Sequence, residues 1–223
     1  MRDAEIGGSA ESSVRVSLFS DLKITKCGLD FEEQAWAAGF KFVAGVDEVG
    51  RGCLAGPVVA AACILNPKKP LPKLLNDSKK LSEKQRNEIA AELKDSVLAY
   101  TIGQIEANEI DEINILEATK KAMLIAIQKL EPAADHLLID ALQLKQSPLP
   151  QKAIIKGDSV SASIAAASIL AKTFRDNLMK AYDAEYPQYG FAGHKGYGAA
   201  AHLAALRKHG PCPLHRKTFR GVL

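Results

Sequence analysis

Residues 45–57, with the sequence GVDEVGRGCLAGP, combine side chains that suit a cation with a turn that suits a phosphate. Asp47 and Glu48 follow an apolar, strand-like run at 42–46 and stand just before Gly50, Arg51 and Gly52. Paired carboxylates supply oxygen ligands, glycines expose backbone N–H groups, and a guanidinium fits a phosphate oxygen. This stretch therefore predicts a place where a divalent metal ion meets a nucleic-acid backbone.

Two further acids follow strand-like runs later in the chain. Asp140 ends the apolar run 136–140, and Asp158 follows the run 152–156 and precedes a long helical pattern. Strand ends at one edge of an open α/β sheet form a natural crevice, so we expect these acids to join Asp47 and Glu48 there. Four adjacent carboxylates repel one another unless cations are bound, and oxygen ligands without His or Cys favour Mg²⁺ or Mn²⁺ over zinc. Two such ions would serve phosphoryl transfer.

Simpler roles remain open for the two later acids. Asp158 also suits a helix N-cap, and Asp140 also suits a turn. Asp47 and Glu48 are harder to explain by a structural role alone. Placing two carboxylates beside an apolar strand costs solvation free energy, which a turn does not require. Residues 45–57 match the known nucleotide-binding loops poorly. The Lys-Ser/Thr pair of a P-loop is replaced by Arg51-Gly52, and the glycines at 50–56 lack the spacing of a dinucleotide-binding motif.

Tyr197 is a candidate substrate contact in the segment HKGYG at 194–198. A tyrosine in a glycine-rich loop commonly serves packing. Exposed beside Lys195, it would instead stack on a sugar or base and hydrogen-bond a 2′-hydroxyl. Both interpretations stay open at this point.

The composition indicates one domain of ordinary size with room for a small appendage. The 223 residues are 47% hydrophobic and 25% charged, with a net charge of +3. Basic residues cluster at 79–80, 207–208 and 216–220, which favours a nucleic-acid-binding face over an ordinary solvated surface.

The four cysteines form no Cys-x-x-Cys pair and are expected to be reduced thiols. Lacking the pattern of a signal peptide or a membrane span, the chain is predicted to be cytoplasmic.

The spacing of apolar residues predicts an α/β fold with a mixed sheet. Strands are predicted at 42–46, 57–65, 97–105, 136–140 and 152–156, and helices at 29–38, 82–93, 110–130, 161–182 and 199–208. Ser82 and Gln85 match a capping box, which places a helix start. We predict a flexible leader at 1–27, a catalytic domain at 28–185 and a small C-terminal helical module that binds substrate at 186–223.

Six short motifs follow one another along the chain: GVDEVGRG at 45–52, DSKKLS at 77–82, IKGD at 155–158, SIAAASILAK at 163–172, HKGYG at 194–198 and HGPCP at 209–213. In this order they resemble bacterial ribonuclease HII. The resemblance runs from about residue 31 to the C-terminus. It implies a ribonuclease H-like fold that cleaves RNA in RNA/DNA hybrids and at single ribonucleotides embedded in duplex DNA.

The resemblance also implies roles for individual residues. The four metal-binding catalytic acids of the family fall on Asp47, Glu48, Asp140 and Asp158, which would hold two Mg²⁺ or Mn²⁺ ions. The segment that reads the 2′-hydroxyl falls on Gly50, Arg51 and Gly52. The phosphate-holding segment falls on Asp77, Ser78 and Lys79, and the junction-sensing tyrosine falls on Tyr197, with Lys195 beside it. The protein is expected to act as a monomer, with no membrane partner.

Three positions depart from the pattern of that family. Cys53 stands where proline is common, Ala141 where glycine is common, and Ala199 where threonine is frequent. Ala199 removes a hydroxyl near the expected substrate path, so junction recognition is the property it bears on. The related ribonuclease HIII normally adds a larger N-terminal domain, which the short leader argues against. A non-catalytic hybrid-binding module and a nuclease directed at DNA are the rival hypotheses.

Overall fold

The computed structural model describes residues 27–223, so the predicted leader lies almost wholly outside the described residues. Five strands form one sheet, in the order β3-β2-β1-β4-β5. The strands are β1 (Val43–Val49), β2 (Val58–Ile64), β3 (Ala99–Ile105), β4 (His136–Asp140) and β5 (Gln151–Ile154). The first three strands pair antiparallel, whereas β4 runs parallel to both β1 and β5. The mixed sheet predicted from the sequence is confirmed.

Helices cover both faces of this sheet and build the C-terminal part. They are α1 (Asp30–Ala37), α2 (Glu83–Ser96), α3 (Ala107–Ile113), α4 (Ile115–Gln128), α5 (Ala162–Glu185), α6 (Phe191–His194) and α7 (Ala200–His209). Short 3₁₀ turns lie at Ser78–Lys80, Gly157–Ser159 and Pro187–Tyr189. The capping box is confirmed, because the Ser82 side chain accepts from the Gln85 backbone and the Gln85 side chain accepts from the Ser82 N–H. No helix within 27–223 is long and apolar enough to cross a membrane.

Two predicted strand boundaries are wrong. The first strand does not end at residue 46: it continues to Val49, so Asp47 and Glu48 lie inside it, paired with Ala61 and Ala60 of β2. Tertiary pairing with the apolar β2 keeps the two acids extended. The last strand instead ends early, at Ile154, because Lys156 adopts a left-handed conformation with φ of 56°.

The helix predicted at 110–130 is two helices, broken at Asn114. This residue has φ of 67°, and its side chain accepts hydrogen bonds from the backbone N–H groups of Leu116 and Glu117. Asparagine tolerates positive φ better than most residues and is a strong N-cap. The apolar rhythm continues across the break, which explains why periodicity alone merges α3 with α4.

Small residues let the long helix α5 approach the sheet closely. Alanines at 165–167 of α5 are buried, and so are Ala60, Ala61 and Ala62 on β2. Gly45 of β1 lies directly against the α5 backbone: a Cβ there would stand 2.1 Å from the carbonyl carbon of Ser163. This contact sets the distance between α5 and the strand that carries Asp47 and Glu48.

The C-terminal part shares a core with the loop after β1. Leu54 and Ala55 of that loop and Met179 of α5 are buried against Phe191 and Leu206. The boundary predicted at residues 185/186 falls at the C-terminal end of α5. The division into two domains stays a prediction.

We expect Gly45→Ala to destabilise the protein by about 3 kcal/mol, because the added Cβ overpacks a rigid helix–sheet contact. Urea unfolding followed by circular dichroism measures the change. Gly193→Ala is the matched control, since a Cβ at Gly193 meets no heavy atom within 4 Å. Equal stability of the two variants would contradict the packing argument.

Candidate active site

The four predicted acids lie at one end of the sheet, on neighbouring parallel strands and the turn beyond them. Val46 of β1 pairs with Ile139 of β4, so Asp47 and Asp140 occupy the next position on each strand. Asp158 lies in the 3₁₀ turn that follows β5, and its neighbour Gly157 donates its N–H to Asp140 Oδ1 over 2.7 Å. The structure therefore brings together the acids that are 93 residues apart in sequence from Asp47 to Asp140 and 111 from Asp47 to Asp158.

Asp47 is buried, with only 4% of the residue exposed, and Asp158 is exposed to the same extent. Burial, and then the neighbouring charges of Glu48 and Asp140, hold the pKa of Asp47 well above its usual range, although a hydrogen bond with Ser168 opposes the shift. Ser168 also shares a hydrogen bond of 3.0 Å with Ser78. A negative charge on Asp47 is therefore costly until a cation approaches it.

Glu48 has one oxygen paired and one unpaired. Arg51 Nη1 lies 3.2 Å from Glu48 Oε1, whereas Oε2 is buried and has no hydrogen-bond partner among the described residues. Burial raises the pKa of Glu48, the Arg51 charge lowers it, and Asp140 raises it again. Arg51, predicted as a phosphate or 2′-hydroxyl contact, is thus engaged with an acid, while 43% of its side chain stays exposed.

The segment Asp77, Ser78 and Lys79 lies beside the acids. Asp77 accepts the backbone N–H of Lys79 and so caps the short 3₁₀ turn. Lys79 Nζ lies 3.0 Å from Asp158 Oδ2, although 79% of the Lys79 side chain is exposed. Ser78 is buried, and its hydroxyl fixes the segment to α5 through Ser168.

Asp158 does not have the helix-capping role that stayed open for it. The N-cap of α5 is Ser161, whose side chain accepts the backbone N–H of Ile164, so Asp158 does not cap the helix. Asp140 is the last residue of β4, and burial followed by the Asp158 charge raises its pKa. Ala141 then adopts φ of 50°, a left-handed conformation in which glycine is less strained than alanine.

Two buried arginines hold the loop that contains Gly50 and Gly52. Arg175 of α5 donates to the carbonyl oxygens of Pro57, Ala55 and Lys195 over 2.8 to 2.9 Å. Arg216 donates to those of Gly56 and Arg51 over 2.8 to 3.0 Å. Both residues are 0% exposed, and neither has a carboxylate partner within 27–223.

The prediction that Arg216 belongs to a basic surface is therefore wrong. Burial lowers the pKa of the Arg216 guanidinium to about 10, so it remains charged at neutral pH. Its neighbours Lys217 and Arg220 are exposed, as are Arg207 and Lys208. Main-chain carbonyl oxygens in the interior accept all of the hydrogen bonds that the structure gives Arg216, which explains why it can be buried.

Tyr197 lies beside this loop and is 42% exposed, so it is not a core residue. Lys172 Nζ lies 5.9 Å from the centroid of its ring. Lys195 has φ of 54°, and its amino group donates to the carbonyl of Ala192, so this side chain folds back on its own turn. Among these residues, the aromatic ring of Tyr197 is the group best placed to meet a substrate.

The donor set fits a divalent cation. Asp47 carries a raised pKa, and the buried Glu48 Oε2 has no hydrogen-bond partner in the described chain, which are the conditions that a cation relieves. No three His, Cys, Asp or Glu side chains of residues 27–223 already surround one point. Lys79 and Arg51 hold two of the carboxylates, so these side chains must turn toward an ion to ligate it.

Sequence reasoning missed Ser168, Lys172, Arg175 and the partners of Arg216. One signal was available for Arg175. It lies four residues after the buried Ala171 and four before the buried Met179, so it occupies the apolar stripe of α5. A charged residue on that stripe indicates an interior role. Nothing in the local sequence distinguishes Arg216 from the exposed basic residues near it.

This fold and site define a class of protein: an α/β protein of the ribonuclease H type, with a mixed sheet and a group of carboxylates at one end of it. The family model for ribonuclease HII matches residues 44–222, and the chain belongs to that family. Ribonucleases H depend on divalent metal ions and act on RNA paired with DNA. The fold class and the enzyme class predicted from the sequence are both confirmed.

Individual relatives agree with this assignment. The ribonuclease HII of Chlamydia caviae is 58% identical over 193 residues, which cover 86% of this chain and 90% of that protein. The ribonuclease HII of Ruminiclostridium cellulolyticum is 56% identical over 191 residues, covering 86% and 74%. Among solved structures, ribonuclease H2 from Pyrococcus horikoshii superposes with a TM-score of 0.70 at 26% identity, covering 82% of this chain and 95% of that one.

We expect Asp47→Asn to stabilise the metal-free protein by about 1 kcal/mol or more, because it removes a buried charge beside Glu48 and Asp140. The native state keeps a proton on Asp47 to higher pH than the unfolded chain does. The charge therefore costs stability above the ordinary carboxyl pKa, and the gain from the variant should grow as the pH rises. Thermal unfolding in chelator at pH 6 and pH 8 measures this.

Glu92→Gln, at an exposed position of α2, is the matched control and should change the unfolding temperature little. Equal or lower stability of Asp47→Asn at pH 8 would show that burial of the Asp47 carboxyl group does not cost stability.

Proposed function

We propose that this protein is an endonuclease that hydrolyses the RNA strand of RNA/DNA hybrids and also cuts 5′ to a single ribonucleotide embedded in duplex DNA. The observation that carries the proposal is that Asp47, Glu48, Asp140 and Asp158 lie together at one end of the sheet. The loop with Gly50 and Gly52 begins two residues beyond Glu48, so a sugar read by the loop lies close to the acids. The products would carry 3′-hydroxyl and 5′-phosphate ends, because water is the nucleophile.

The four acids would hold two Mg²⁺ or Mn²⁺ ions. When bound, such ions activate the attacking water and stabilise the leaving oxygen. Asp47 and Asp158 provide the buried part of the site, where low exposure strengthens any interaction with a cation. Lys79 spans the distance from solvent to Asp158, so its ammonium group is placed to meet a phosphate oxygen as that carboxylate turns to a metal ion.

The loop after β1 would recognise the ribonucleotide. Gly50 is buried, and its φ of 89° requires glycine. Gly52 differs, because it is exposed and an added Cβ there would meet no protein atom within 4 Å. Packing does not require glycine at residue 52, which favours a role in letting a sugar approach the backbone. The 2′-hydroxyl is the group that distinguishes RNA from DNA at such a contact.

Cleavage of a DNA duplex that contains one ribonucleotide tests the proposal. With Mg²⁺ or Mn²⁺ we expect a single cut 5′ to the ribonucleotide, and no cut in an all-DNA duplex of the same sequence. Asp47→Asn should lower cleavage by about a thousandfold or more while leaving binding intact, since the phosphate contacts remain. Gel electrophoresis of labelled strands measures the cut, and fluorescence anisotropy measures binding.

Glu92→Gln again serves as the remote control and should cleave like the unaltered protein. Equal cutting of the all-DNA duplex would favour the rival DNA-directed nuclease. Binding to hybrids without metal-dependent turnover would favour the rival hybrid-binding module. Normal cleavage by Asp47→Asn would remove Asp47 from the metal site.

Gly52→Ala tests recognition of the sugar separately from the hydrolysis at the four acids. The methyl group occupies open space in the free protein, so the free energy of unfolding should change by less than about 0.5 kcal/mol. Cleavage of the duplex with one ribonucleotide should fall by about tenfold or more, because the methyl group blocks the approach of the sugar. Unchanged cleavage would show that the sugar does not approach Gly52.

A cytoplasmic location and a monomeric state stay predictions. So do the assignments of Ser78 and Lys195 to substrate binding, and the contacts of these two residues favour supporting roles. Ser78 is buried against Ser168, and the Lys195 amino group is held by the carbonyl of Ala192. In the proposed mechanism both residues fix the backbone from which Lys79 and Tyr197 act.

A further inference from the structure

Three histidines lie directly beneath the turn that presents Tyr197. His202 Nδ1 lies 2.9 Å from the carbonyl oxygen of Tyr197, and His202 Nε2 lies 3.0 Å from His215 Nε2. The far side of His215 is fixed too, because the backbone N–H of Cys212 donates to His215 Nδ1 over 2.9 Å. A continuous path of hydrogen bonds thus joins Cys212 to the main chain of Tyr197.

The groups at the two ends of this path determine which ring nitrogen of each histidine carries the proton. A backbone N–H only donates, so His215 Nδ1 accepts and the proton of a neutral His215 lies on Nε2. That proton points at His202 Nε2, which must accept it. The remaining proton of His202 is then on Nδ1, where it faces the Tyr197 carbonyl, a group that only accepts.

Main-chain groups determine the tautomer of the third histidine, His194, in the same way. The backbone N–H of Gly196 donates to His194 Nδ1 over 3.2 Å, and His194 Nε2 lies 2.8 Å from the carbonyl of Tyr189. The ring of His194 stacks on that of His202 with centroids 4.3 Å apart and an interplanar angle of 12°. The turn is therefore bound on both sides of Tyr197, at Gly196 N–H and at the Tyr197 carbonyl.

The surroundings keep this arrangement neutral and rigid. His202 is 0% exposed and His215 is 2% exposed. Burial, followed by the charge of the neighbouring histidine, lowers the pKa of His215 to about 4, and burial likewise lowers the pKa of His202. Phe191 packs edge-on to His202, with ring centroids 5.5 Å apart, and Tyr189 packs in the same way on His215, at 4.8 Å.

We propose that His202 and His215 are positioning residues that hold the main chain of Tyr197, and that this hold sets the preference for a single embedded ribonucleotide over a continuous hybrid. The proposal deepens the proposed function and rests on it. Neither imidazole needs to touch the substrate, because both act through the Tyr197 carbonyl. That carbonyl also accepts the N–H of Ala199 over 2.8 Å, so two donors fix its direction.

Nuclear magnetic resonance of the unaltered protein, labelled with ¹⁵N at histidine, tests the arrangement without any substrate. We expect His215 to be protonated on Nε2 and His202 on Nδ1, with a scalar coupling between the two Nε2 nuclei across their hydrogen bond. The opposite tautomer at either residue, or the lack of that coupling, would overturn the proposal whatever the protein cleaves.

Two substitutions of His202 separate its two hydrogen bonds. In His202→Asn the amide nitrogen takes the place of Nδ1, so the bond to the Tyr197 carbonyl survives while the bond to His215 is lost. In His202→Gln the amide reaches the place of Nε2, so the bond to Tyr197 is lost instead. His209→Asn, at the exposed end of α7, is the matched control.

The measurement is kcat/KM for a duplex with one ribonucleotide divided by kcat/KM for a continuous RNA/DNA hybrid. We expect His202→Gln to lower this ratio by about tenfold, as the loss of one hydrogen bond allows, and His202→Asn to stay within about threefold of the unaltered protein. His209→Asn should leave the ratio unchanged. Equal ratios for His202→Gln and the unaltered protein would overturn the proposal.

Tyr197→Ala separates positioning from a general loss of structure. The variant should itself lower the ratio, and adding His202→Gln to it should lower the ratio no further, because both changes act through one side chain. A further drop in the double variant would contradict the proposal. If the unaltered protein cleaves neither duplex, the proposed function fails and the selectivity claim fails with it, whereas the imidazole coupling still decides whether the hydrogen-bonded path exists.

Discussion

Two buried guanidinium groups hold the loop after β1 and the turn of Tyr197 together. Arg175 and Arg216 bind the carbonyl oxygens of five residues, four of them in the loop after β1 and one at Lys195. Burying a charge without a carboxylate partner is costly, and hydrogen bonds to several main-chain carbonyls offset that cost only when every carbonyl is in place. The loop with Gly50 and the turn with Tyr197 are therefore fixed relative to each other.

The acid cluster beside this loop differs from it, because the electrostatic interactions among its carboxylates are unfavourable. The pKa values of Asp47, Glu48 and Asp140 are all raised, first by burial. Lys79 and Arg51 reduce the repulsion by pairing with Asp158 and Glu48. A rigid loop thus stands next to carboxylates whose charge a cation would stabilise. The sugar recognition that we propose for this loop would take place directly beside the acids.

The C-terminal part contributes rigidity by a second route. Its three imidazoles are bound by main-chain groups that determine their tautomers, and they support the turn of Tyr197. Arg175 holds the same turn through the carbonyl oxygen of Lys195. The Tyr197 side chain, which is 42% exposed, thus stands on a main chain with little freedom, which suits the substrate contact that we propose for it.

The sequence alone determined the α/β class, the five strands, the capping box at Ser82 and the four acids, because apolar spacing and short motifs are local properties. It did not determine that Asp47 and Glu48 lie within a strand, that α3 and α4 are separate, or that Arg216 is interior. Those features depend on pairing with β2, on the φ of Asn114 and on carbonyl groups some 160 residues away in the chain. Contacts between distant segments decide them, so only the tertiary structure shows them.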